Sequence, residues 1–251
     1  EALFYVVKVI IFDIFCVMPK RVCVFAGSQS GNDPLYAEHA AALGKELATR
    51  GYELVYGGGN IGLMGACSEA HKAAGGKVIS VIPDPLAPVE LSGESVGHVF
   101  RTKDMHTRKE IFATLSDMFI ALPGKSRIFV ASHHFTVVSG GLGTVEELSE
   151  MICWTQLGIH RKIVGVVNTL GFYDHYLQHL DHCIATGFTR AKYSGCWCSA
   201  AGPVELLDRM ELAVSTNAVP EGAVNTWTPF PAGLAAAVEL EKMDDYQASA
   251  T

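Results

Sequence analysis

The sequence predicts an α/β fold in which one parallel sheet, within a single domain, carries helices on both faces. Three observations point there. Short apolar runs alternate with stretches of helical periodicity along most of the chain. The apolar runs are continuous, as strands covered on both faces require. Glycine turns follow some of those runs, and in open sheets of this class the ligand lies beyond the C-terminal strand ends.

The first strand is RVCVFAG. It leads to LYAEHAAALGKELATRG, an amphipathic helix that stops at Gly51. YELVYGGG is a strand entering a glycine turn, and IGLMGACSEAHKAAGG is a helix again stopped by glycines. KVISVIP is a third strand, ended by Pro83, since proline cannot donate to a ladder. Residues 84–97 read mostly as loop, HVFRT as a short strand, MHTRKEIFATLS as a helix and DMFIAL as a buried strand. TVEELSEMICWTQLG is the next helix and KIVGVVN the next strand. FYDHYLQHLDHCIATG and PVELLDRMELAV are the last two helices. From residue 215 to 251, Pro220, Pro229, Pro231 and a final acidic, Ala-rich piece predict a loosely ordered tail.

The opening stretch, EALFYVVKVIIFDIFCV, is apolar but lacks an initiating Met and is interrupted by Lys8 and Asp13. It is too short and too charged for a membrane span, and it lacks the basic start and small-residue cleavage site of a signal peptide. Met18-Pro19-Lys20 directly precedes the first clean strand. Met18 is therefore expected to be the natural start, residues 1–17 a non-native extension, and residues 18–214 the folded domain.

A chain of 251 residues with 18% charged and 49% hydrophobic residues is expected to pack as a soluble globule. Its net charge of −7, without a basic run, argues against nucleic acid as a partner. Seven scattered cysteines read as reduced cytosolic thiols, which predicts a cytoplasmic protein. Cys196 and Cys198 are the one close pair, and with no second pair or nearby His they do not make a metal site.

Two glycine turns are candidates for chemistry. Gly57-Gly58-Gly59-Asn60-Ile61-Gly62 follows a strand, precedes a helix and satisfies G-x-G-x-x-G, with Asp84 about twenty residues on. This turn follows the second strand, and Asp84 sits in a proline-rich loop. Close approach of a nucleotide at Gly58 and Gly59 is therefore expected rather than full NAD binding, against a plain strand-to-helix turn as the bland alternative. The second turn, Gly141-Leu142-Gly143-Thr144, places amides at a helix N-terminus, where the macrodipole favours a phosphate. Thr144 to Glu147 equally fits a capping box, and spacing alone does not separate the two readings. On the helix MHTRKEIFATLS, Arg108 falls on the apolar stripe with Met105, Ile111, Phe112 and Leu115. A guanidinium there is costly unless an anion meets it, so Arg108 is read as a site residue rather than one snorkelling to the rim.

Together GGGNIGLMG, MHTRK and GGLGTVEE…WTQLGIHRKIVGVVN resemble the LOG (Lonely Guy) family, once labelled lysine decarboxylase-like, whose hallmarks are PGGxGTxxE and Met-x-x-Arg-Lys. The resemblance runs from about Met18 to Met210, with three motifs in family order. It implies a Rossmann-like homodimeric enzyme that hydrolyses cytokinin riboside 5′-monophosphates, with AMP as a further candidate substrate, to free base and ribose 5-phosphate. By position it implies Arg108 and Glu147 as the catalytic pair. Lys109, Gly124, Gly140, Gly141, Leu142, Gly143, Thr144, Val145 and Glu146 would bind the nucleotide, and Glu90 would be a further substrate contact. No metal or redox cofactor is required. Decarboxylation with pyridoxal phosphate would need a Schiff-base lysine and a pyridinium partner, and Lys109 beside Arg108 offers no such pair. The chemistry is consistent: glycosidic cleavage builds positive charge at C1′, which a carboxylate can stabilise. Two other readings stay open, a nicotinamide-dependent oxidoreductase on the Gly57–Gly62 turn and a catalytically impaired nucleotide-binding protein.

The chain departs from the family hallmark at one place. Removing residues 125–140, KSRIFVASHHFTVVSG, leaves ALPG-GLGTVEE and restores PGGxGTxxE. Codons for Gly124-Lys125-Ser126 can contain a splice-donor-like GTAAGT, and those for Ser139-Gly140 an acceptor-like AG in frame. A short retained intron is the reading that explains both. The alternative is a lid or β-hairpin inserted at the site, with His133 and His134 as a poor metal pair for want of nearby carboxylates.

Overall fold

Strand β1 (Arg21–Phe25) sends Val22 and Val24 to one face of the sheet and Cys23 and Phe25 to the other, and all four are buried. Two-sided burial is why the strands read as unbroken apolar runs. The structure is a computed structural model that describes residues 21–87, 95–124, 126–131, 134–139 and 141–223. With β1 run β2 (Glu53–Tyr56), β3 (Val78–Pro83), β4 (His98–Thr102) and β5 (Met118–Ala121). Between β5 and the next sheet strand come β6 (Ser126–Ala131) and β7 (His134–Ser139), followed by β8 (Val164–Val167) and β9 (Trp197–Ala200). Seven strands pair in parallel in the order β4-β3-β2-β1-β5-β8-β9. The expected α/β class is therefore what the chain adopts.

Helices α1 (Pro34–Thr49), α2 (Gly62–Ala73) and α6 (Pro203–Ser215) bury Leu43, Leu47, Leu63, Met64, Leu206 and Met210 against one face. Helices α3 (Met105–Leu115) and α4 (Leu142–Leu157) cover the other with Ile111, Phe112, Leu148 and Met151, and α5 (Asp174–Ala185) flanks them. Helix α1 starts as its sequence demands, with Asp33 accepting from the Leu35 amide at 2.9 Å and Pro34 in the first turn.

The sequence reading missed β9. Trp-Cys-Ser-Ala is too short and too exposed to read as an apolar run, and it is a strand because β8 offers it a ladder at the sheet edge. The Cys196–Cys198 pair lies at this strand, where burial pushes both thiols up, to about 12 and about 11.

Residues of the segment 125–140 form a hairpin, β6 against β7, that is a two-stranded sheet of its own and adds no strand to the main one. Past α6, Val219 is buried, Arg161 Nε donates to its carbonyl at 2.9 Å, and the Ala223 amide donates to Gln156 O at 2.9 Å. The tail expected from 215 thus begins with a segment packed on the body. Residues 1–17 and 224–251, Glu90, His133 and Gly140 lie outside the described residues. Among the described residues, no helix is long and apolar enough to cross a membrane.

Candidate functional site

The strand order reverses between β1 and β5, and the crevice beyond their C-terminal ends is where a sheet of this class binds ligand. A cavity of about 340 Å³ opens there. The loop after β1 (Gln29, Ser30, Gly31, Asn32) forms one wall, and Pro123 and Gly124 after β5 form another. Tyr36 and Phe172, edge to face at 6.2 Å, and Leu63 complete it. Sequence reasoning named Gly124 and missed the rest. The signal was available: GSQSGNDP is the small, polar turn after the first strand, the position where the dinucleotide fold carries its ligand loop.

Helix α4 begins at the second glycine turn. Gly141 is its N-cap, without a side-chain hydrogen bond, so Thr144 stands inside the first turn, not ahead of it. The capping box expected as one alternative is therefore absent, because it needs Thr144 at the cap with the helix starting after it. Thr144 is buried and Glu147 is 9% exposed, while Leu142 is open to solvent.

Arg108, on α3, is 5% exposed. Its Nη2 donates to the Gly57 carbonyl at 3.4 Å, and its Nη1 lies 3.7 Å from Met105 Sδ. The guanidinium also stands 5.2 Å from the Phe112 ring centre. These are long contacts, and among the described residues Arg108 Nε is buried with no hydrogen-bond partner. Gly57 is required for this seating, since a Cβ there would collide with Arg108 Nη2. Burial pushes the Cys23 thiol well up, the Glu147 carboxylate pushes it further, and Arg108 opposes both. Arg108 and Glu147 stand on α3 and α4, the two helices that cover the Cys23 and Phe25 face of the sheet.

Lys109 is held by protein carboxylates. Its Nζ lies 2.6 Å from Glu146 Oε1 and 3.0 Å from Glu150 Oε2. Burial works against its charge, but the two carboxylates outweigh it and raise the pKa. An amine kept protonated in this way is a poor Schiff-base nucleophile. Lys109 and Glu146, both expected to bind nucleotide, are thus engaged with each other.

At the first glycine turn the opening of α2 is tied to the loop after β1. The Leu63 and Met64 amides that open α2 both donate to the Gly27 carbonyl, at 3.0 and 3.2 Å. Gly62, at φ +59°, lets the Ser28–Gln29 backbone lie directly on it. Gly58 packs on Ile82 and accepts from Ser95 Oγ at 2.6 Å. Asp84, the fingerprint acid, pairs with Arg101 at 2.6 Å toward the β4 edge of the sheet. Among the described residues, no group of His, Cys, Asp and Glu could hold a metal ion.

A family model described as possible lysine decarboxylase matches residues 64–126 and 125–210, in two pieces that meet where the hairpin begins. A protein of Oryza sativa subsp. japonica described as a probable cytokinin riboside 5′-monophosphate phosphoribohydrolase is 47% identical over 191 residues, 76% of this chain and 78% of that protein. A cytokinin riboside 5′-monophosphate phosphoribohydrolase of Arabidopsis thaliana is 44% identical over 198 residues, 79% and 80% of the two chains. Among solved structures, the Moco carrier protein of Chlamydomonas reinhardtii superimposes with a TM-score of 0.56 at 21% identity, over 79% of this chain and 99% of that one. At that identity the likeness is one of fold.

Proposed function

The chain belongs to the LOG (Lonely Guy) family, and on that premise we propose that it hydrolyses the N-glycosidic bond of cytokinin riboside 5′-monophosphates, releasing free base and ribose 5-phosphate. The observation that carries the reading is that buried Arg108 and Glu147 stand on α3 and α4, the two helices that pack on the same face of the sheet. As the bond to the base breaks, positive charge develops on the ribose C1′. The Glu147 carboxylate stabilises it, and water completes the cleavage at that carbon. Arg108 meets the anionic part of the substrate. A buried donor left unpaired costs about 1–3 kcal/mol, and a phosphate or departing base nitrogen at Nε would recover it.

The 5′-phosphate belongs at the start of α4, where the helix dipole and the glycines favour an anion, with Gly124 and the β1 loop closing the other side. Binding energy at the phosphate orients the sugar over Glu147. The nicotinamide reading loses its support, since the α2 amides already face Gly27 and Asp84 faces Arg101. We further propose a cytoplasmic homodimer. Met105 and Leu142, exposed at the starts of α3 and α4, give apolar surface beside the site for a second copy, and light scattering tests it. Residues 125–140 are proposed to be foreign to the family's loop, in keeping with the two-piece match and the separate hairpin. Incubation with isopentenyladenosine 5′-monophosphate, followed by chromatography for free base, tests the reaction. Incubation with AMP asks whether the prenyl group is required.

A further inference from the structure

Residues 125–140 separate Gly124 from Gly141, so the polypeptide no longer fixes one half of the second turn against the other. Noncovalent links take over. Tyr173, just ahead of α5, is 1% exposed, and its hydroxyl donates to the Leu122 carbonyl at 2.8 Å, directly before Pro123-Gly124. Its own amide donates to Asn168 Oδ1 at 2.7 Å, which ties it to the end of β8. One turn on, the Tyr176 hydroxyl lies 2.8 Å from Ser149 Oγ, and Ser149 donates to the Val145 carbonyl at 2.6 Å. With that proton committed, Tyr176 is the donor of the pair. Val145 stands in the opening turns of α4, immediately after Thr144.

We infer that Tyr173 and Tyr176 are positioning residues that hold the two halves of the split glycine turn in register, Tyr173 on the β5 side and Tyr176 on the α4 side. Both project from one short segment, so the spacing between the halves is set by a rigid helical turn. Neither touches the reacting atoms. The kinetic arm of the test rests on the phosphoribohydrolase reading, and the exchange arm does not.

The test places Tyr173→Phe and Tyr176→Phe, singly, in the full chain and in the chain lacking residues 125–140. The shortened chain keeps the whole main sheet, to which the hairpin contributes no strand. In the full chain each substitution lowers kcat/KM on the order of tenfold through misplacement of the turn, with Tm lower by only the few degrees that one lost hydrogen bond costs. Tyr173→Phe speeds amide exchange around Leu122 and Gly124, and Tyr176→Phe does so around Gly143 and Val145. In the shortened chain, where Gly124 joins Gly141 directly, both effects shrink to about twofold or less. Equal losses in the two backgrounds, or losses that follow Tm alone, mean a packing role and overturn the inference. If neither chain releases free base, the phosphoribohydrolase reading fails. Exchange then decides the brace alone, and rates that do not depend on the background overturn it.

Discussion

At the first glycine turn, the Leu63 and Met64 amides that open α2 both donate to the Gly27 carbonyl. At the second, α4 starts at Gly141 with no side-chain cap, and Glu147 lies buried in its second turn. Both turns place glycines ahead of a helix, the second with residues 125–140 set between it and β5. At the first turn the opening helical amides already face a backbone carbonyl, which is a tertiary fact that spacing does not show. The first turn serves the second site indirectly, because Gly57 leaves room for Arg108 and offers it a carbonyl.

The sharpest way to break this contrast is Glu147→Gln. Turnover should fall by about a hundredfold or more, since the charge acts mainly in the transition state, while nucleotide binding stays within a few-fold and Tm holds. A variant that loses Tm and keeps its specific activity would make Glu147 a structural residue. Arg108→Ala should damage binding and turnover together, on the order of tenfold or more. Gly57→Ala should approach that loss without removing any site side chain, because its new Cβ displaces the guanidinium. Unchanged kinetics in Gly57→Ala would mean that the Gly57 carbonyl does not seat Arg108.

Asp84→Ala should leave turnover within about twofold, since exposed ion pairs contribute only about 0–1 kcal/mol. Titration with NAD should show no binding. Saturable NAD binding that Asp84→Ala abolishes would return the first turn to nucleotide duty.

How much of this was legible in the sequence depends on what kind of fact each feature is. The strands were legible because Val22, Leu54, Ile120 and Val166 lie in runs buried on both faces. Arg108 was legible as a charge on an apolar stripe. Glu147 was legible only through the family's motif, because the same four residues fit a capping box. The start of α4 decided against that box, and spacing does not reveal where a helix begins to within a residue. The engagement of Lys109 by Glu146 and Glu150 joins two helices, and β9 exists through backbone pairing with β8. Neither leaves a periodic trace. The Gln29–Asn32 wall of the cavity has a compositional trace, but its value rests on knowing that β1 and β5 flank the reversal of strand order.

The smallest effect lies away from both turns and separates loss of fold from loss of site on acidification. Burial lowers the His160 pKa, the nearby Lys162 charge lowers it further, to about 3, and among the described residues its Nε2 is buried without a hydrogen-bond partner. The unfolded chain takes up this proton near the ordinary histidine value of about 6.5, before the folded one does. Its contribution is therefore complete above that value and is lost as pH falls toward about 3. His160→Gln should flatten the fall of Tm between these limits, and an unchanged slope would assign the acid loss to other groups.

The claim that the second turn and Glu147 carry the chemistry is tested most directly by following free base released from isopentenyladenosine 5′-monophosphate, with wild type and Glu147→Gln side by side. The wild-type chain should release base and ribose 5-phosphate in equal amounts, and Glu147→Gln should release base more slowly by about a hundredfold or more. Equal release by the two proteins, or none from the wild type with or without residues 125–140, would contradict the claim.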